Sequence, residues 1–246
     1  MRSHAIRHSV VALALLTLTA GVAAQKTSKE TLVSGGRDRT YYRFLPDGTD
    51  QVPLIVLLHG SGRDGTSLVQ PWESLAKKER IALVAPNSMD RDGWSGSEGP
   101  YFFRDLVETM RATGRIDSKR IYLFGHSAGG HHSIDMGLAE SEYFAAVAVH
   151  AGALTHDQDA MTASADRKIP IAMWNGTNDR LVPIAGVRQV RDYLVAKGFS
   201  VKLTEMPNHT HDYYGSAPEI NKAAWEFLKG HQLSADPKFK DYIIRK

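Results

Sequence analysis

Short uninterrupted apolar runs separated by longer amphipathic stretches set the pattern of this chain. A strand covered on both faces reads as a continuous apolar run, whereas a helix repeats its apolar positions every three to four residues. On that basis 54–58, 81–85, 120–124, 144–149 and 169–174 are predicted to be buried strands. The stretches 68–79, 101–113, 184–197 and 217–229 are predicted to be helices, and a further helix is expected to start at Ser127. An entry hairpin is expected over 31–45, turning at Ser34-Gly35-Gly36, and an alternating last strand over 200–206, closed by Pro207-Asn208. Strands alternating with helices predict an α/β fold with a mostly parallel central sheet and helices on both faces. In such sheets reactive groups gather beyond the carboxyl ends of the strands.

The apolar run Arg120-Ile121-Tyr122-Leu123-Phe124 is followed directly by Gly125-His126-Ser127-Ala128-Gly129. A chain that turns sharply from strand into helix crowds its Cβ positions, so glycines two before and two after a serine allow the turn and push the hydroxyl outward. This makes Ser127 the candidate nucleophile. Ala128, the next residue, offers its backbone N–H and the positive end of the new helix to a forming oxyanion.

A serine needs a base, and in this strand–turn–helix setting the acid and histidine follow it in that order. The strand expected at 169–174 breaks at Asn175-Gly176-Thr177-Asn178, which places Asp179 just beyond its carboxyl end as the candidate acid. After Pro207-Asn208 come His209, Thr210, His211 and Asp212, and spacing alone leaves both histidines open as the base.

Together these motifs resemble the α/β-hydrolase family, and within it the secreted esterases grouped with polyhydroxybutyrate depolymerases and feruloyl or acetylxylan esterases. The resemblance covers nearly all of residues 31–232. In that group the catalytic histidine commonly lies four residues past a proline at the end of the last strand. The match implies His211 as base, followed by Tyr213 and Tyr214, with His209 held in reserve. Pro53-Leu54-Ile55-Val56-Leu57-Leu58-His59-Gly60-Ser61-Gly62 resembles the family's strand and His-Gly turn, which implies the Ser61 N–H as a second oxyanion donor. Family members often carry Cys beside that turn and paired aspartates before the elbow. Here Ser61 and Tyr101-Phe102-Phe103-Arg104-Asp105 stand instead, so the substrate class is not carried over.

Composition fits an ordinary globular protein, with 42% hydrophobic and 23% charged residues and no repeat or linker. Arg2 and Arg7 precede the apolar run Val10–Leu16 and the small residues Val22-Ala23-Ala24, a secretory signal pattern. Residues 1–24 are therefore expected to be a signal peptide and 25–246 a single α/β-hydrolase domain, secreted or periplasmic, with no stable membrane anchor after cleavage. The apolar stretch is short and broken by Thr17 and Thr19, unlike a spanning helix. The net charge of +3 loses both of that segment's arginines on cleavage, so no basic face for nucleic acid is expected. The chain has no cysteine, which excludes disulfides.

Other residues carry plainer alternatives. Trp94, in the loop Arg91-Asp92-Gly93-Trp94-Ser95-Gly96, reads equally as an aromatic wall for an acyl or sugar group and as a loop tryptophan packed on the body. His131, His132, His150 and His156 match no zinc spacing, and neither a metal nor a cofactor is expected. His59 and His126 flank the expected site and read as hydrogen-bonding support. Asp157, Asp159 and Asp166 read as solvated loop residues, Trp174 as core. The reaction implied is two-step acyl transfer to water from an ester, small, oligomeric or polymer-derived. A serine peptidase of the same fold, or a binding protein with idle machinery, are the competing classes, because the same triad serves amides.

Overall fold

The apolar runs lie in one eight-stranded sheet whose two faces are both covered. A computed structural model describes residues 26–154 and 157–242. The expected signal segment and His156 lie outside the described residues.

The chain enters through a hairpin of β1 (Ser28–Ser34) and β2 (Arg37–Phe44). Gly35 and Gly36 turn it at φ of 59° and 73°, a conformation that suits glycine. Then follow β3 (Val52–Leu58), α1 (Thr66–Glu79), β4 (Ala82–Pro86), α2 (Pro100–Arg111), β5 (Ile116–His126) and α3 (Ala128–Ala139). The second half holds β6 (Ala146–His150), α4 (Gln158–Ser164), β7 (Ile171–Gly176), α5 (Ile184–Ala196), β8 (Val201–Met206) and α6 (Ala217–Leu228). The strand order is β1-β2-β4-β3-β5-β6-β7-β8, antiparallel where β2 meets β1 and β4 and parallel elsewhere. This is the α/β-hydrolase arrangement expected from the sequence.

Period-two alternation within each strand divides the core. Leu54, Val56 and Leu58 face one side with Leu123, Val147 and Met173, where α2, α3 and α5 cover them. Ile55 and Leu57 face the other with Phe124, Ala148 and Trp174, under α1 and α6. Each fully buried leucine or isoleucine contributes about 1.5–3 kcal/mol relative to exposure.

Three local expectations are corrected. β5 is longer than the apolar run at 120–124, starting at Ile116, because Val52 pairs Ile116 before a register shift brings Leu54 opposite Ile121. The polar stretch after residue 156 is not all loop, since Asp157 caps α4 by accepting the Ala160 N–H at 3.1 Å. α3 begins at Ala128 rather than at the serine, which stays outside the helix as its cap residue. Among the described residues no helix is long and apolar enough to cross a membrane.

Candidate active site

Ser127 sits between β5 and α3 at φ 55° and ψ −122°, a conformation side chains rarely adopt and that costs about 1–3 kcal/mol. The flanking glycines let the surrounding chain close on it. A Cβ on Gly125 would lie 2.1 Å from Gly129 O, and one on Gly129 would lie 2.0 Å from Leu58 O. Backbone meets backbone at both points, so neither position has room for any side chain. The strain at Ser127 is thus held by strand β3 on one side and by the first turn of α3 on the other.

The candidate acid and base come from the loops after β7 and β8. His211 Nδ1 lies 2.8 Å from Asp179 Oδ2, and its Nε2 lies 2.9 Å from Ser127 Oγ. Nδ1 facing a carboxylate carries the proton, which leaves the Nε2 lone pair turned to the serine hydroxyl. The Asp179 carboxylate is buried, and its Oδ1 accepts the N–H groups of Leu181 and Val182 at 2.9 and 2.8 Å. These bonds leave Oδ2 to the imidazole. A Cβ on Gly176 would lie 2.1 Å from His209 O, so the loop after β8 is seated on the end of β7. That seat brings His211 to Asp179 and holds His209 away from Ser127. His209 instead places its Nε2 3.2 Å from His150 Nε2.

Ser61 and Ala128 approach each other across Gly93, where a Cβ would lie 3.5 Å from Ala128 Cβ and 3.8 Å from Ser61 Oγ. The turn carrying Ser61 is held by polar contacts. His59 Nδ1 donates to Gly60 O at 2.9 Å while its Nε2 accepts the Ser88 N–H at 3.1 Å, which assigns a neutral tautomer. Burial lowers the His59 pKa, in keeping with that state. Gly62 N–H donates to Arg91 O at 2.7 Å. The Trp94 indole N–H donates to His59 O at 2.8 Å, and its ring stacks on His132 at 5.7 Å. Trp94 is therefore not brought to the cleft: it packs beneath the Ser61 turn, the plainer of its two sequence readings.

Beneath that loop lies Glu98, fully buried, an ion-pair partner of Arg39 at 2.8 Å. The same carboxylate accepts the N–H of Met89 at 2.8 Å and the N–H and hydroxyl of Ser95 at 3.0 Å each. One buried charge from the 3-10 turn Gly96–Glu98, just before α2, therefore shapes the 88–95 loop that grips the Ser61 turn. Burial lowers the Arg39 pKa, but the neighbouring carboxylate opposes this and keeps the guanidinium charged.

With this geometry in place, likeness to known proteins becomes informative. A family model described as phospholipase/carboxylesterase matches residues 101–230. The chain belongs to that family. The family is one of α/β-hydrolase esterases, the group expected from the motifs. A relative from Aspergillus terreus, "Probable feruloyl esterase C", is 31% identical over 189 residues, covering 70% of this chain and 67% of the relative. The chain spans only 52% of a relative from Nocardia uniformis, to which it is 26% identical over 183 residues. A solved ferulic acid esterase superposes with a TM-score of 0.65 at 17% identity, over 83% of this chain and 97% of that one, and so shares the fold.

In this member of the carboxylesterase family the hydroxyl of Ser127 opens into a cleft of about 460 Å³ lined by Gly60, Ser61, Arg63, Leu181, His211 and Tyr214 among others. Tyr213 lies at the cleft wall but is fully buried, and its hydroxyl donates to Asn221 Oδ1 at 2.6 Å, anchoring the histidine loop. Tyr214 does face the cleft. The expected bystander histidines are engaged elsewhere, His132 Nε2 donating to Glu98 O at 2.8 Å and His131 Nδ1 lying within bonding distance of Ala153.

Sequence reasoning missed two groupings. His126 Nδ1 and His150 Nδ1 lie 3.0 Å apart, continuing to His209 as a chain of three rings behind His211. Burial pushes the His126 pKa down to about 4 and the His150 pKa to about 2, so both rings are uncharged at neutral pH. His126 and His150 are register partners at the ends of β5 and β6, a pairing visible once parallel strands are aligned. The other missed group is the Arg39–Glu98 pair, whose members lie far apart in sequence on unremarkable polar positions.

Proposed function

We propose that this chain is a serine carboxylic-ester hydrolase that works through an acyl-enzyme on Ser127, with His211 as base and Asp179 as its orienting acid. The observation that carries the reading is the unbroken line of contacts from Asp179 Oδ2 through the two His211 nitrogens to Ser127 Oγ, at 2.8 and 2.9 Å. In the forward step His211 Nε2 takes the hydroxyl proton as Oγ attacks the ester carbonyl. Asp179 holds the tautomer and stabilises the imidazolium, while the N–H groups of Ala128 and Ser61 receive the oxyanion. His211 then protonates the departing alcohol. Water, deprotonated by the same nitrogen, attacks the acyl carbonyl and releases the acid. No metal or cofactor takes part in these steps.

The substrate proposed is a small or oligomeric carboxylic ester, which the open cleft of about 460 Å³ accommodates. Likeness to the relative named for feruloyl esters favours including aryl and hydroxycinnamoyl esters in that class. Export is proposed from the arginine, apolar and Ala-Ala order of residues 1–24.

The test is release of product by the mature protein from 4-nitrophenyl esters of increasing acyl length, methyl ferulate, acetylated xylan and hydroxybutyrate oligomers. Ser127→Ala should lower kcat by about a millionfold where chemistry limits, as loss of a triad serine does elsewhere, with the fold retained. Wild-type rates in that variant, or silence across the panel from folded protein with turnover of peptide substrates instead, would remove the proposal.

A further inference from the structure

A second groove of about 700 Å³ opens beside the cleft, lined by Arg63, Asp64, Gln70, Arg91 and Tyr214 among others. Arg63 and Tyr214 line both spaces, so the groove continues from the cleft that holds Ser127 and His211. The two arginines are brought together by the backbone, since Gly62, the residue before Arg63, donates its N–H to Arg91 O at 2.7 Å. Arg63 lies over the Tyr214 ring, 4.9 Å from its centroid, a contact that steadies a guanidinium without satisfying its charge.

Neither arginine has a carboxylate within ion-pairing distance among the described residues. Most other arginines here are differently placed: Arg39, Arg43, Arg80, Arg104, Arg111, Arg120, Arg188 and Arg191 are all paired. Asp64, which lines the groove, and Asp212, on the cleft side, each accept hydrogen bonds from the backbone of their own loop. Asp64 Oδ1 accepts the N–H of Thr66 at 3.0 Å and also its hydroxyl. Asp212, on the cleft side, accepts the N–H groups of Tyr214 and Gly215 at 3.1 and 3.2 Å. Among the described residues, the groove therefore presents two guanidinium groups without a carboxylate partner next to a nucleophilic serine.

We infer that Arg63 and Arg91 form an anion subsite, and that the ester this protein hydrolyses carries a free carboxylate remote from the scissile bond. The inference rests on the serine-esterase reading above and narrows its substrate. A planar guanidinium fork matches a carboxylate with two parallel hydrogen bonds, and a second cation in the same groove adds to the attraction. A remote anchor of this kind orients the scissile carbonyl at Ser127, so its benefit is expected in kcat/KM. A neutral substrate leaves both arginines to water and gains nothing from the groove.

Two matched pairs test it, each compared as acid against methyl ester at low ionic strength. 4-Acetoxybenzoate carries the charge on the alcohol side, and 4-nitrophenyl hydrogen adipate carries it on the acyl side. In at least one pair the wild-type kcat/KM ratio of anion to neutral ester should be about tenfold or more, the discrimination one charged hydrogen bond supplies. The pair that shows it assigns the groove to the leaving alcohol or to the acyl group. The ratio should shrink in added salt and collapse toward one in the Arg63→Gln/Arg91→Gln double variant, whose fold is checked by thermal unfolding. Ratios at or below one in both pairs, or a ratio untouched by the double variant, overturn the subsite. Hydrolysis of the neutral esters that depends on Ser127 keeps the esterase reading alive in that case. If no ester of either kind is cleaved in a Ser127-dependent way, that reading fails first and the subsite with it.

Discussion

The turn carrying Ser127 and the turn carrying Ser61 meet at one point yet are held by different forces. The first is clamped by backbone against backbone, with Gly125 on Gly129 and Gly129 on Leu58 at separations that exclude a Cβ. The second is held by hydrogen bonds from its own His59 and by side chains reaching in from distant parts of the chain: Trp94 and, through the 88–95 loop, Glu98 with Arg39. Steric exclusion cannot be relaxed by a small adjustment, whereas a hydrogen-bonded support can lose a member and partly recover. The two turns should therefore respond to substitution on different scales.

The largest effect is expected at the clamp. Gly129→Ala drives a methyl group into Leu58 O, and at least about 4 kcal/mol of stability should be lost, the range of exceptional single-site effects. Urea unfolding measures it; a loss under about 1 kcal/mol would mean that the turn can open and that the comparison is wrong. Next comes Glu98→Ala, which strands a buried arginine and the N–H groups of Met89 and Ser95. About 3–5 kcal/mol should be lost, as on breaking other buried pairs, together with a fall in kcat as the Ser61 turn loosens. An unchanged kcat at temperatures where the variant stays folded would separate the network from the site.

Trp94→Phe is a gentler probe of the same support. It keeps an aromatic ring against His132 but removes the bond to His59 O and part of the packing on His59 and Phe103, so about 1–2 kcal/mol and a few-fold change in kcat are expected. A loss as large as that of Glu98→Ala would show that the indole bond, not the buried charge, governs the turn.

Acid sharpens the comparison from another side. His126 and His150 are held neutral with folded pKa values lowered to about 4 and about 2, below the unfolded value of about 6.5. The unfolded chain binds their protons first, so the stability they contribute is complete above about pH 6.5. It falls as pH drops from there toward the folded values. Urea midpoints measured between pH 7 and 4 should decline, and His150→Gln should flatten that decline. Equal slopes would place the acid sensitivity elsewhere.

The elbow was legible because its cause is local. Two glycines flanking a serine after an apolar run describe one steric event within five residues, and the structure puts the crowding where they stand. The parallel sheet was legible for a similar reason, since strands covered on both faces must be continuously apolar. Strand and helix ends were less so: β5 extends back to Ile116 through pairing with Val52, and pairing is a property of two segments. Asp159 shows the same limit, because a residue read as solvated loop lies in α4 and pairs with Lys197 of the chain beyond α5 at 2.8 Å.

By itself the sequence determined the order of the strands and of every long helix, though not of the short α4, as well as the turn at Ser127 and the positions of Asp179 and the His209–His211 pair after the last two strands. Periodicity, glycine sterics and proline punctuation act over a few residues and can be read there. Only the tertiary structure decided which histidine reaches the serine, because that depends on the seating of the last loop against Gly176. It also decided that Trp94 supports a turn instead of lining the cleft, that Glu98 is buried against Arg39, and that Arg63 and Arg91 share a groove where, among the described residues, no carboxylate comes within ion-pairing distance of either. These are meetings of residues far apart along the chain. Burial, hydrogen bonding and charge at such points exist only after the sheet has brought its loops together.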